Sequence, residues 1–116
     1  MEALSEAKLL RVFIGESDKV RHVPLYEAIV REAKASGLAG ATAWRGLMGF
    51  GPSTRIRTAK ILDLSADLPV VVEITDEESK IAAFLPVLDR LFAESRSGGL
   101  VTLENVQIIR YCHGER

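Results

Sequence analysis

The apolar residues of this chain alternate at every second position in some stretches and recur at helical spacing in two others, and the order of those periods restricts the layers it can build. From Lys8 to Gly15, Leu10, Val12 and Ile14 fall on one side of an extended chain and Leu9, Arg11 and Phe13 on the other, which predicts a first strand. After a polar turn, Glu16-Ser17-Asp18-Lys19, the positions Tyr26, Ile29, Val30 and Ala33 repeat as one face of a helix until Gly37 stops it. Ala41 to Phe50 reads as a second strand and Thr58 to Leu64 as a third extended piece. Val70 to Ile74 is a β-branched strand, and Thr75-Asp76-Glu77-Glu78 places acids where a second helix begins. In that helix Ile81, Phe84, Leu85, Leu88, Leu91 and Phe92 form a core-facing stripe. Pro86 interrupts it, so the spacing predicts a bend near Ala82 or a short first turn followed by the helix proper. Ser95 to Gly99 closes the helix, and Leu100 to Tyr111 supplies one long or two short strands, with Glu104-Asn105 as the expected break.

The resulting βαββαβ order calls for an α+β ferredoxin-like sandwich, an antiparallel sheet with two helices on one face. No helix remains for the other face, where Leu9, Phe13 and Leu47 are expected; burial against copies of the same chain follows from counting layers. At 116 residues the chain is read as a single domain, 1–116. Its net charge of -1 and 27% charged residues favour neither disorder nor a generic nucleic-acid binder. One cysteine, Cys112, allows no internal disulfide. The N-terminus lacks the pattern of a secretory signal, and no stretch approaches the roughly 20 apolar residues of a membrane span. The expectation is a cytoplasmic protein without direct membrane insertion.

Chemistry concentrates between Trp44 and Lys60, where a strand pattern breaks into glycines and then into Arg55, Arg57 and Lys60, with Ser53, Thr54 and Thr58 beside them. A basic loop of this kind suits a phosphate-bearing ligand or a protein partner. It holds no His, Cys, Asp or Glu to move a proton, so it does not read as an acid/base site.

Several phrases, Arg11 to Glu16, Pro24 to Val30, Gly37 to Thr42, Arg45-Gly46-Leu47-Met48-Gly49-Phe50-Gly51, Leu68 to Glu73 and Gly99 to Thr102, resemble the domain of unknown function 190 family, whose members are PII-like proteins. The resemblance runs from about Lys8 to Tyr111, and its most specific part is the glycine-rich phrase at Arg45 to Gly51. It implies a PII-like homotrimer whose neighbouring subunits form clefts for an adenine nucleotide or related small anionic metabolite. It also implies an effector arm, here Gly49 to Lys60, that acts on a partner; family relatives occur beside or fused to fluoride-exporter-type membrane proteins, which makes a membrane transporter a candidate for that partner. The C-terminal tail with Arg110, His113 and Arg116 would approach the neighbour's cleft. The arm is shorter than in nitrogen-regulatory PII proteins and lacks their modified tyrosine, and Arg96 to Gly99 carries no lysine-rich phosphate loop.

The ligand-binding candidates are therefore Arg45, Gly49, Phe50, Gly51, Arg55, Arg57, Arg96, Gly98, Gly99 and Arg110. Each has a plainer alternative. Arg55 and Arg57 clamp phosphates or form a solvated hairpin face; Gly49-Phe50-Gly51 admits a ligand to the backbone or bends a strand. Ser97-Gly98-Gly99 is an amide nest or a helix stop. Glu16 to Lys19 touches a ribose or cation, or caps helix one. Trp44 is assigned to the core and Phe50 left between packing and base stacking. Cys112-His113 and the distant His22 are a weak metal set, and no cofactor is expected beyond the nucleotide ligand. The rivals to a non-enzymatic sensor are a metal-responsive or structural trimer of the divalent-cation-tolerance type and an acylphosphatase-like hydrolase using an arginine and Asn105.

Overall fold

The structure is a computed structural model that describes residues 5–52, 56–58 and 67–115. The chain runs β1 (Ser5–Gly15), β2 (Lys19–Val20), β3 (Val23–Pro24), α1 (Leu25–Ala35), β4 (Thr42–Arg45), β5 (Met48–Gly49), β6 (Arg57–Thr58), β7 (Pro69–Asp76), α2 (Glu78–Ser95) and β8 (Leu100–Ile108). Four strands form an antiparallel sheet in the order β4-β7-β1-β8. The alternation in the two central strands decides the layering: Leu10, Val12 and Ile14 of β1 and Val70, Val72 and Ile74 of β7 point to one side. There they meet Leu25, Ala28, Ile29 and Ala33 of α1 and Ile81, Phe84, Leu88 and Leu91 of α2, all buried. This is the expected ferredoxin-like sandwich. No helix among the described residues is long and apolar enough to cross a membrane.

Two local expectations are corrected and two pairs of alternatives are narrowed. The stretch from Ala41 to Phe50 is two strands, because Pro69 opens β7 without an N–H to extend the ladder. Gly46 instead donates its N–H to the Pro69 carbonyl at 2.7 Å, so near the ring that a Cβ would lie 2.9 Å from Pro69 Cγ. Beyond it the chain leaves the sheet, and Met48–Gly49 pairs with Arg57–Thr58. That pair is the described part of the expected strand from Thr58 to Leu64; residues 59–64 lie outside the described residues. Trp44 is not in the core: opposite Val71 on the helix-free side, it is 57% exposed. β8 passes through Glu104 and Asn105 unbroken, because β1 continues beside it and pairs these residues with Leu9 and Lys8. Finally, α2 is one helix from Glu78 to Ser95 with Pro86 inside it and no detached first turn, since the buried stripe continues on both sides of the proline.

One element went unread in the sequence. β2 and β3 form a two-residue-loop hairpin whose central residues, Arg21 and His22, both have positive φ, 49° and 70°. That is the pattern of a primed turn, which normally uses Asn and Gly. The hairpin is retained because Val20 is buried in the core and Arg21 ion-pairs with Glu94 of α2 at 3.2 Å.

The helix-free face carries a polar row across all four strands. Trp44 Nε1 donates to Glu73 Oε1 at 2.9 Å, Arg11 Nε donates to Glu73 Oε2 at 2.8 Å, and Arg11 Nη1 donates to Glu104 Oε1 at 2.6 Å. Around it Phe13, Trp44 and Leu100 are exposed apolar surface.

Two outcomes follow. His22→Gly removes a left-handed strain of about 1 kcal/mol and is expected to raise the denaturation midpoint; an unchanged or lower midpoint contradicts the turn assignment. The hydrogen bond from Arg11, followed by that from Trp44, holds the Glu73 carboxyl below its ordinary value of 4.5. A carboxylate with a lowered folded value stabilises above its unfolded value, and that contribution is lost as pH falls through the carboxylate range. Glu73→Gln should therefore cost stability at neutral pH and flatten its acid decline, measured by denaturant titration between neutral and acid pH.

Candidate functional site

A cleft of about 1040 Å³ opens at the end of the sheet where β1 stops, β7 starts and β8 starts. Its walls are the turn after β1 (Gly15, Ser17, Asp18, Lys19), the base of the arm (Met48 to Pro52) and the loop from Ser95 to Gly99 after α2. The first wall is built by its own hydrogen bonds. Asp18 Oδ2 accepts the Gly15 N–H at 2.8 Å, the Asp18 carbonyl accepts the Leu25 N–H at 2.7 Å, and Glu16 N–H reaches the Leu68 carbonyl at 2.8 Å. Arg45 ion-pairs with Glu16, which ties the end of β4 to this turn.

The second wall is the helix end. Arg96 caps α2 in the left-handed conformation at φ 58°, a position that glycine fills at less cost, and donates its N–H to the Phe92 carbonyl at 2.9 Å. Ser95 Oγ donates to the same carbonyl at 3.1 Å and accepts the Ser97 N–H at 3.2 Å. Gly99 has no room for a side chain: a Cβ would lie 2.7 Å from Phe92 Cε1 and 3.0 Å from the Phe13 carbonyl. The glycine thus lets β8 start hard against α2 and β1, which brings the loop to the cleft. A Cβ on Gly98 would stand 3.7 Å from Pro52 Cβ, so the loop and the arm's base are in contact distance across the mouth.

Among the sequence candidates, Gly49, Phe50, Gly51, Arg96, Gly98 and Gly99 line this one cleft. Arg45 stands behind it through Glu16. Arg55 lies outside the described residues, and Arg57 is described only as backbone in β6. Arg110 is elsewhere: it borders a second cavity, about 1190 Å³, at the opposite end of the sheet. The structure thus separates Arg110, within one chain, from the six candidates that line the first cleft.

The second cavity was not anticipated as a whole. It is lined by Gly37 to Thr42, Arg11, Glu73, Asp76, Lys80 and the tail residues Tyr111 and His113. Asp76, only 6% exposed, holds it together, accepting the Ala39 N–H on Oδ2 at 2.9 Å and the Glu77 N–H on Oδ1 at 2.7 Å. Tyr111 donates its hydroxyl to the Ala39 carbonyl at 3.0 Å and meets His113 edge-on, ring centroids 5.5 Å apart. An aspartate just before a helix was the sequence signal, but it reads equally as a cap.

Chemically, the first cleft offers Lys19 and Arg96 to an anion and an apolar wall in Phe13, Met48, Phe50 and Pro52 to a flat ring. Among the described residues the one carboxylate in its lining, Asp18, is engaged by its own turn. Among the described residues, no three His, Cys, Asp or Glu side chains come together as a metal site.

Comparison with known proteins agrees with this architecture. The family model of DUF190, described as uncharacterized ACR, matches residues 7–108. A UPF0166 protein of Aquifex aeolicus is 42% identical over 102 residues, covering 88% of this chain and 92% of that protein. A UPF0166 protein of Methanocaldococcus jannaschii is 32% identical over 108 residues, 93% and 91% of the two chains. Among solved structures, CPII from Thiomonas intermedia K12, a nitrogen regulatory PII-like protein bound to ADP, AMP and bicarbonate, superposes with a TM-score of 0.70 at 18% identity over 92% of both chains. A PII-like signaling protein from Thermus thermophilus gives 0.67 at 19% identity, over 93% of this chain and 94% of that one. The fold is accordingly the PII-like form of the ferredoxin-like sandwich, and the chain belongs to the DUF190 family.

Proposed function

We propose that this chain is a non-enzymatic, cytoplasmic PII-like regulator, a homotrimer that binds an adenine nucleotide in clefts between subunits and answers through the arm Gly49 to Lys60. One observation carries the reading: the arm's base and the Arg96–Gly99 loop are two walls of the same cleft, with Gly98 facing Pro52. A ligand seated there touches the arm directly, so it can prefer one arm conformation to another, as a population shift requires. Lys19 and Arg96 suit its phosphates, and Phe50 with Met48 suits its base. The ADP and AMP bound by CPII, which shares the fold, support this ligand class.

Assembly supports the same reading. Phe13, Trp44 and Leu100 lie exposed on a sheet face that the chain's own helices leave uncovered, and burying such a face against copies removes that apolar surface from water. Around a threefold axis, Arg110 and the tail of one subunit would complete the cleft of the next, which accounts for their distance from it within one chain. The arm then carries the signal to a partner, with a membrane transporter as the candidate.

The test uses the strained helix cap. Glycine at position 96 relieves about 1 kcal/mol of left-handed strain and removes the guanidinium. Arg96→Gly should therefore melt higher than the parent without ligand yet lose most of the stabilisation that ADP gives, read by thermal shift. Equal ADP stabilisation in the two proteins sinks the assignment. Light scattering should return about three times the 12.7 kDa chain mass; a monomer sinks the shared cleft.

A further inference from the structure

The turn after β1 is one wall of the cleft, and it is also fastened to the chain on either side of the arm. Pro69 opens β7 where the chain comes back to the sheet, and the two residues before it are held by the turn: the Leu68 carbonyl accepts the Glu16 N–H at 2.8 Å and Asp67 Oδ1 accepts the Ser17 N–H at 3.0 Å. On the other side, Arg45 ends β4 just before the chain leaves the sheet, and its Nη2 donates to Glu16 Oε2. Strand β7 lies between β4 and β1, so this pair reaches across the start of β7 to join two strands that are not neighbours.

The two attachments differ in kind. The return side is bound through main-chain N–H groups of the turn, which every non-proline residue supplies. On the exit side, among the described residues, no hydrogen bond or ion pair joins the chain to the turn other than that between Glu16 and Arg45. The Gly46–Pro69 hydrogen bond joins exit to return and does not involve the turn. Neither Glu16 nor Arg45 lines the cleft, whereas Ser17, Asp18 and Lys19 do. What Glu16 does for a bound ligand is therefore transmitted rather than direct.

The pair is also suited to switching. The Arg45 side chain is 61% exposed and that of Glu16 21%. An ion pair so open to water adds little stability and opens readily, so a ligand that favours the paired form by a modest factor shifts the population. A buried pair would be locked by the cost of leaving one charge alone, and would not respond.

We propose that Glu16 is a positioning residue that couples the cleft to the arm: a ligand seated against Ser17 and Lys19 fixes the turn, and the Glu16–Arg45 pair then fixes the point at which the arm leaves the sheet. This rests on the nucleotide reading of the cleft and adds the route by which the cleft acts on the arm.

Trp44 is the reporter. It is the chain's one tryptophan, it precedes Arg45 in β4, and it does not line the cleft. The experiment is an ADP titration of the full chain followed by Trp44 emission, with thermal shift and light scattering on the same samples. In the parent, ADP should raise the melting temperature and change the emission at constant mass. Glu16→Ala should bind ADP within about threefold of the parent yet keep less than about a third of the emission change. Glu16→Arg combined with Arg45→Glu restores the pair with its charges exchanged and should recover most of that change. A full emission change in Glu16→Ala overturns the proposal. So does loss of ADP binding along with the response in either variant, which makes the pair part of the cleft's construction, and so does a charge-exchanged protein that binds ADP without regaining the response. A parent that ADP stabilises with no change in emission, or with a change in mass, overturns the coupling and leaves the nucleotide reading standing; a parent that ADP does not stabilise overturns both.

Discussion

Two helices cannot cover both faces of a four-stranded sheet, and the rest of this molecule follows from that shortage. β1 and β7 carry the core because they are central: each buries one set of alternate residues under both helices. The outer strands have no such cover. β8 leaves Leu100, Val101 and Leu103 exposed, so both of its faces show apolar side chains, and β4 leaves Trp44 in the open. A long edge without proline or lysine is what natural sheets avoid unless something pairs with it or covers it. The row of Trp44, Glu73, Arg11 and Glu104 gives this face a polar centre inside an apolar field. That arrangement permits burial against another surface only in a register that keeps the carboxylates hydrogen-bonded.

The same sheet geometry makes the cleft. Strands β1, β7 and β8 reach a common end, and three devices hold the chain there: the Asp18 turn after β1, the Gly46–Pro69 bond that ejects the arm, and Gly99, which sets β8 against Phe92. Each sets the path of the backbone at the cleft, the first through the Asp18 carboxylate and the other two through close approach of the chain. The cleft therefore reads as a place to hold a molecule between a fixed loop and an arm, consistent with a binding protein.

Much of this was legible in the residues. Period-two alternation located β1 and β7, helical spacing located α1 and α2, and glycines marked the cleft's walls, because those signals report local geometry that tertiary contacts reinforce. Trp44 was misplaced because an aromatic in a strand has two sides to choose from, and the alternation of so short a strand as β4 does not say which. The β2–β3 hairpin went unseen because its turn uses Arg21 and His22 where the usual signal is Asn-Gly. Arg110 is a different kind of case. Its place in the chain was readable, but its distance from the cleft depends on which strand lies beside which, and a linear sequence does not order strands in a sheet.

Arg96 and the pair Arg21 and His22 are non-glycine residues held at positive φ, and they differ in what lies around them. The hairpin's strain is offset by Val20 in the core and by the Arg21–Glu94 pair, so packing alone accounts for it. Among the described residues Arg96 has no comparable anchor beyond the cap bond that any residue would make, and glycines follow at 98 and 99. A cation at a strained position, on the wall of a cleft whose facing wall is the base of the arm, is the outlier from which the proposed binding site is argued. On the proposed reading the strain at Arg96 is offset by a contact to the bound ligand, whereas the strain of the hairpin is offset within the folded chain itself.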